Sequence, residues 1–393
     1  MEFKPVILSL LDTDLYKLTM MQAVLHHYPA AEVVYQFKCR TNQVDLAPLM
    51  LEIRQQIHHL CSLRFTQDEI NYLSEIHYLK PDFVQFLKLF QLSENYVHLG
   101  KDASGQLTIK IKGPWLHTIL FEVPLLAIVE EIYNRNTHGQ LDLTSGESKL
   151  AEKVSIIHNH PLGEKLKIME FGTRRRFSCL WQRQVLTQLK QSIPNNLVGT
   201  SNIHFAKEQN LIPLGTMAHE YLQAFQALGP RLIDSQKVAL DVWAKEYRGD
   251  LGIALTDVVG VDAFLKDFDR YFAKLFDGVR HDSGDPFLWT DKILSHYHSL
   301  GVDPKTKTLV YSDGLNIPLA FKLLEKYHEQ TNLVFGIGTN LTNDVGVKPL
   351  SIVIKMTQCN GQPVAKISDS PGKIMCQDEA YLTYLRNIFQ LKN

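Results

Sequence analysis

The stretch Lys167-Ile-Met-Glu-Phe-Gly-Thr-Arg-Arg-Arg-Phe-Ser178 sets the pattern for the larger part of the chain. A short apolar run stops abruptly at a glycine and a cluster of polar side chains. The same texture recurs at Asn196–Val198 before Gly-Thr-Ser-Asn, Leu211–Leu214 before Gly-Thr-Met-Ala-His-Glu, and Gly252–Leu255 before Thr-Asp. It returns at Phe276–Val279 before Arg-His-Asp-Ser-Gly-Asp, Thr308–Tyr311 before Ser-Asp-Gly, and Leu333–Phe335 before Gly-Ile-Gly-Thr. Segments with helical periodicity lie between them, among them Asp234–Glu246, Val261–Leu275 and Ile317–Gln330. Buried strands alternating with helices predict a parallel sheet with crossover helices. About seven such units favour an irregular (β/α) barrel, whose polar clusters would gather at the C-terminal strand ends.

The flanks read differently. Asp12 and Thr13 can cap a helix reaching His27, Leu49–Leu60 is amphipathic, and Thr66-Gln-Asp-Glu69 has the form of a capping box. Asn95–Lys112 predicts a β-hairpin, followed by a long apolar helix over Trp115–Asn136. Past Pro349, Ser351–Gln358 and Val364–Ile367 flank Asn360-Gly361 as a second hairpin, expected to pack back on the N-terminal region. The expected organisation is an α/β chain: a mixed α/β domain from residues 1–145 completed by 346–393, and a barrel domain over 146–345 carrying the site.

With 393 residues, 45% of them hydrophobic, the chain can bury a large core. Lys plus Arg is 41 against 42 for Asp plus Glu, so no basic excess points to nucleic acid or a membrane surface. The five cysteines form no CxxC pair, which suits reduced thiols in a cytoplasmic protein. The apolar stretch around Ile119–Ile132 is interrupted by Glu122, Pro124, Glu130 and Glu131 and is too short and charged to span a bilayer. Anions must therefore meet local clusters.

The arginines Arg174, Arg175 and Arg176 could dock phosphate, although a basic turn would look the same, and sequence does not say which of them reaches an anion. Gly336-Ile-Gly338-Thr339 would let backbone N–H groups approach a phosphate; a tight turn needs glycine too. Arg280-His-Asp-Ser-Gly-Asp285 is dense enough in carboxylates to meet a Mg²⁺-pyrophosphate, and Asp313 could hold ribose hydroxyls or cap a helix. A lone histidine is more often structural. Yet His219, at a strand end and followed by Glu220, could act as phosphoryl acceptor or acid–base group, with Asp257 orienting its second nitrogen.

Together with Leu11-Asp-Thr-Asp-Leu-Tyr-Lys17, Gly199-Thr-Ser-Asn202 and Ser368-Asp-Ser-Pro-Gly-Lys373, these motifs resemble the nicotinate phosphoribosyltransferase family over nearly the whole chain. The resemblance implies transfer of the ribose phosphate of phosphoribosyl pyrophosphate (PRPP) to nicotinate in NAD salvage. It implies ATP hydrolysis through a phosphohistidine at His219, with Glu220 and Asp257 in the catalytic set. Tyr16 and Phe171 would sandwich the pyridine ring, with Tyr16 supplied across a homodimer with shared sites. Arg280 would recognise the carboxylate. Ser201 stands where related nicotinamide enzymes place an aspartate, which would repel a carboxylate, and Thr200 beside it would also bind substrate. Arg174, Asp282, Asp313, Gly336, Gly338 and Thr339 would hold PRPP, with Mg²⁺ arriving on it near Asp282 and no resident metal. The rivals are a nicotinamide enzyme of the same fold, a metal-dependent barrel hydrolase built on His219, Asp257 and His281, and an inactive nucleotide sensor.

Overall fold

A computed structural model describes residues 3–139, 141–367, 375–376 and 378–391; the motif Ser368–Lys373 lies outside them. In chain order the strands are β1 (Glu32–Cys39), β2 (Val97–Lys101), β3 (Leu107–Pro114), β4 (Ile168–Glu170), β5 (Leu197–Thr200), β6 (Arg248–Leu251), β7 (Ile253–Leu255), β8 (Gly278–His281), β9 (Thr308–Tyr311), β10 (Asn332–Ile337), β11 (Ile352–Cys359) and β12 (Gln362–Pro363). They build two sheets, antiparallel β12-β11-β1-β3-β2 and parallel β5-β4-β10-β9-β8-β7.

The parallel sheet takes six of the seven predicted runs. Leu211–Leu214 does not become a strand. Pro213 has no N–H to donate, and the segment keeps one isolated bridge, Thr200 to Pro213. It nevertheless spans the gap between the edge strands. Leu214 N donates to Thr200 O at 2.8 Å, and the Thr216 hydroxyl reaches Ile253 O at 2.8 Å.

β11 pairs antiparallel with β1, from Val33–Cys359 to Cys39–Ile352, so the end of the chain completes the first sheet. The hairpin turn matches its sequence: Asn360 and Gly361 both adopt positive φ, 49° and 77°. Beyond Pro363 the chain departs from the expected second strand and crosses to the parallel sheet, where Ile367 N donates to Val258 O at 2.8 Å.

Two helix expectations need correction. The long helix divides into Trp115–Thr118, a 3₁₀ turn Ile119–Phe121 and Glu122–His138. The ring of Pro124 would clash with the carbonyl of Leu120 in a continuous helix but is tolerated in the first turn of a new one. The first helix runs Leu15–His27 with Asp14 at its N-cap and no side-chain cap. Asp12 and Asp14 are engaged elsewhere, by Arg176 and Ser201. The Thr66–Glu69 capping box forms as read. Among the described residues, no helix is long and apolar enough to cross a membrane.

Candidate active site

Parallel strands deliver their C-terminal residues to one edge of a sheet. Here β4 leads into Phe171 and the arginines, β7 into Asp257, β8 into Asp282 and Ser283, β9 into Ser312 and Asp313, and β10 into Gly338 and Thr339. His219 opens the helix His219–Leu228 and faces the β7 and β8 ends.

The imidazole Nε2 lies 2.8 Å from Asp257 Oδ1 and 3.5 Å from Asp282 Oδ2. Asp257 is almost completely buried; burial alone would raise its pKa, but His219 and Lys366 outweigh it and hold the carboxyl well below the usual range. An ionised carboxylate only accepts, so Nε2 carries the proton and Nδ1 keeps its lone pair. Nδ1 forms no hydrogen bond among the described residues. Burial and then the Lys366 charge lower the His219 pKa against the pull of Asp257, favouring neutral imidazole. The Asp257 Oδ2 accepts from Ser283 Oγ at 2.5 Å and pairs with Lys366 Nζ at 2.6 Å. The arrangement fixes an imidazole whose Nδ1 keeps its lone pair, with a cation on the same carboxylate.

The three arginines separate. Arg176 is fully buried and grips Asp12 with both terminal nitrogens, at 2.7 and 2.8 Å. Asn202 and Gln182 complete that network. Arg176 therefore belongs to the core. Arg174 is 48% exposed and reaches Glu122 at 3.4 Å, with free valence toward the site. Arg175 is half-buried, its carbonyl held by Asn343.

At the proposed pyridine end, Phe171 lies directly against Gly336, where a Cβ would come within 2.5 Å of the ring. The glycine thus makes room for the aromatic ring as much as for any phosphate. Tyr16 is buried in its own chain, with its backbone next to Gly215 and its charge neighbours Arg174 and Asp14. Ser201 donates to Asp14 Oδ1 at 2.7 Å, and burial raises the Asp14 pKa despite Arg174. Thr200 is fully buried with its hydroxyl on Glu170 at 2.6 Å, so it presents no side chain to the cleft. Glu220 also points away from the open edge, toward Lys17 at 2.7 Å. Arg280 is half-buried beside Asp282, which accepts from Ser312 Oγ at 2.8 Å. The backbone carbonyl of Thr339 anchors the turn that follows Gly338.

Sequence reasoning missed four groups. Lys366 sits in what reads as an apolar strand, Val-Ala-Lys-Ile; a lysine in that run was the only signal. Ser283 looked like part of a turn. Lys355, on β11, comes from the other sheet with Asp282 and Asp257 among its charged neighbours, and Arg40, just past β1, adds positive charge beside Lys355. Burial, then Lys366 and Arg40, lower the Lys355 pKa to about 8.

Ligand atoms of His219, Asp257 and Asp282 lie within 4.8 Å of one another. A dedicated metal cage fits them poorly, because both Asp257 oxygens are engaged and the Lys366 ammonium already lies 2.6 Å from Asp257 and 3.9 Å from Asp282. Asp282, partly exposed, suits an oxygen-seeking cation that brings its own ligands.

A histidine–aspartate pair, ringed by cations at the ends of parallel strands, defines an α/β anion-handling site of phosphoryl or phosphoribosyl type. Comparison with known proteins narrows the class. The sequence model of the nicotinate phosphoribosyltransferase (NAPRTase) family matches residues 166–393, and that of its N-terminal domain matches residues 11–130. The nicotinate phosphoribosyltransferase of Burkholderia mallei is 57% identical over 386 residues, covering 98% of this chain and 97% of the relative. That of Xanthomonas campestris pv. campestris is 59% identical over 388 residues, with 98% and 97% covered. The crystal structure of nicotinate phosphoribosyltransferase from Vibrio cholerae superposes with a TM-score of 0.94 at 43% identity, covering 99% of this chain and 95% of that one. The chain belongs to the nicotinate phosphoribosyltransferase family.

Proposed function

We propose that this chain joins nicotinate to the ribose phosphate of PRPP, giving nicotinate mononucleotide and pyrophosphate, with ATP hydrolysis coupled through His219. Family membership along the whole chain supports the activity; the observation that carries the mechanism is the His219–Asp257 bond, which leaves Nδ1 as the nucleophile. Attack by Nδ1 on the γ-phosphorus of ATP forms a P–N bond as the β–γ P–O bond breaks and ADP departs. No proton has to leave Nδ1, and Lys366 offsets charge gathering at the transferred group. In the transfer itself the bond from ribose C1 to pyrophosphate lengthens first, and the ring nitrogen of nicotinate forms the new C–N bond. Water then cleaves the P–N bond and releases phosphate.

Mg²⁺ arriving on PRPP would neutralise pyrophosphate charge, with Asp282 as the carboxylate placed to meet it. Arg174, Arg175, Lys355, Asp313 and the Gly338-Thr339 turn are read as the PRPP and phosphate surface, and Arg280 as the group that meets the nicotinate carboxylate. Tyr16 and Phe171 are read as the ring clamp, Tyr16 acting across a homodimer. Ser201 tolerates a carboxylated ring better than an ionised aspartate at that position would. The parallel sheet is read as an irregular barrel closed by residues 211–216, within a domain of residues 146–345; residues 1–145 with 346–393 form the other. The setting proposed is the cytoplasm.

The test is one assay: protein, PRPP and Mg²⁺ with nicotinate or nicotinamide, with and without γ-labelled ATP. Nicotinate mononucleotide formed faster with ATP, and base-stable, acid-labile label lost in His219→Ala, is the expected result. Turnover of nicotinamide alone would overturn the Ser201 and Arg280 readings. Label retained in His219→Ala would remove the histidine from the mechanism.

A further inference from the structure

One buried ionic chain is used by none of the steps above. Lys17 is fully buried, and its ammonium lies 2.5 Å from Glu122 Oε2 and 2.7 Å from Glu220 Oε2. Glu122 reaches with its other oxygen to Arg174 at 3.4 Å. Glu220 is the residue after His219, in the first turn of the same helix. Two cations and two carboxylates thus alternate from the histidine helix to the half-exposed arginine. The loop before His219 leans on the Lys17 helix at two further points. Thr19 Oγ1 donates to Thr216 O at 2.7 Å, and Ala218 N donates to Met20 Sδ at 3.3 Å.

A lysine wholly buried between two acids is an expensive way to hold a helix in place, since desolvation of three charges cancels most of their attraction. Its geometry suits orientation better than stability. Among the described residues Arg174 has one carboxylate contact, and that carboxylate is fixed by Lys17. Removing the ammonium leaves two carboxylates facing one vacated position. One of them must take a proton or turn away, and in either case Glu122, the counter-charge of Arg174, is no longer held in place by an ammonium. Burial pushes Glu220 up to about 7, with Lys17 opposing and Glu122 adding to the rise, so this carboxyl is already close to accepting a proton.

We propose that Lys17 is a positioning residue that joins the His219 loop to Arg174 through Glu220 and Glu122, so that a change at the histidine is transmitted to the PRPP-binding arginine. The coupling part rests on the ATP reading above; the positioning of Arg174 does not. A charge added at His219 must be accommodated by its loop. That loop, the Lys17 helix and the Glu122 helix are tied at one ammonium, and the movable end of the chain of charges is the exposed guanidinium.

The experiment compares wild type, Lys17→Met, Lys17→Arg and Glu122→Gln, each confirmed folded by its melting transition. The Michaelis constant for PRPP is measured with and without ATP, beside His219 labelling. Without ATP, Lys17→Met and Glu122→Gln should raise the PRPP constant by on the order of tenfold, the nicotinate constant moving less, and Lys17→Arg should recover most of the loss. With ATP, the factor by which ATP changes the PRPP constant in wild type should collapse toward one in Lys17→Met while His219 is still labelled. Glu122→Gln is isosteric and leaves the Lys17–Glu220 pair intact, so it reads the Arg174 arm even if Lys17→Met does not fold. An unchanged PRPP constant in Glu122→Gln overturns the positioning role. A wild-type ATP factor retained in labelled Lys17→Met overturns the coupling. A wild type whose PRPP constant ignores ATP overturns the ATP reading and the coupling with it, and the ATP-free constants still decide the positioning.

Discussion

Arg174 and Arg176 stand two residues apart in one basic motif and have opposite fates. Arg176 is fully buried, doubly bonded to Asp12, and enclosed with Asn202 and Gln182. Arg174 keeps 48% of its side chain exposed and, among the described residues, pairs with Glu122 at 3.4 Å. The same contrast separates two aspartates of the chemical edge. Asp257 has both oxygens engaged by His219, Ser283 and Lys366, whereas Asp282 stays partly open. Charge density alone does not mark a site. What marks it is valence left unspent at a place that a ligand can reach, held by neighbours whose own valence is fully used.

The largest effect should come from breaking the enclosed member of the pair. Arg176→Met leaves Asp12 buried without its partner, a loss of roughly 3–5 kcal/mol, read as a large fall in the denaturant midpoint. Burial alone would raise the Asp12 pKa, but Arg176 and Asn202 outweigh it and hold it low in the folded chain. Its contribution is therefore present above the unfolded carboxylate pKa and lost as pH falls through the lower folded value. Wild type should lose this increment on acidification, and Asp12→Asn should show a shallower acid limb.

Next in size is Asp257→Asn. An amide can turn its nitrogen toward His219 and favour the wrong tautomer, so labelling of His219 by ATP should drop about a hundredfold or more without loss of fold. Retained labelling would show that the imidazole needs no anchor.

Arg174→Ala sharpens the contrast with its buried neighbour. The PRPP constant should rise on the order of tenfold while stability changes by less than about 0.5 kcal/mol. A variant that melts early and binds normally would reverse the assignment of the two arginines.

The smallest effect is a pH dependence at Lys355. With its pKa lowered to about 8, the ammonium is present below that pH and lost above it. Affinity for the phosphate-bearing substrates should weaken a few-fold as pH rises through about 8, and Lys355→Arg should flatten that limb because a guanidinium stays charged. An unchanged limb would take Lys355 out of the anion surface.

The alternation of strands and helices in the parallel sheet, the capping box at Thr66, the Asn360-Gly361 turn and the residues carried by those strand ends were legible locally, because each depends on neighbours in sequence, whereas β1 was not read as a strand. His219 and Asp257 could be paired only as a hypothesis of topology; in the fold they lie 2.8 Å apart. Other features were not legible. Pro213 turned an apparent strand into a bridging segment, and Pro124 divided a helix that periodicity read as continuous. Thr200 and Glu220, both placed in the site by motif, point into buried networks.

Sequence by itself determined the six runs, of seven predicted, that become the parallel sheet, the arginines and acids carried at their ends, and which family the motifs resemble. Tertiary structure decided which charges are already neutralised. Lys366 meets Asp257, Lys17 meets Glu220 and Arg176 meets Asp12 across separations of 109, 203 and 164 residues. Coulomb attraction and desolvation depend on distance and burial in space, and neither follows from position along the chain.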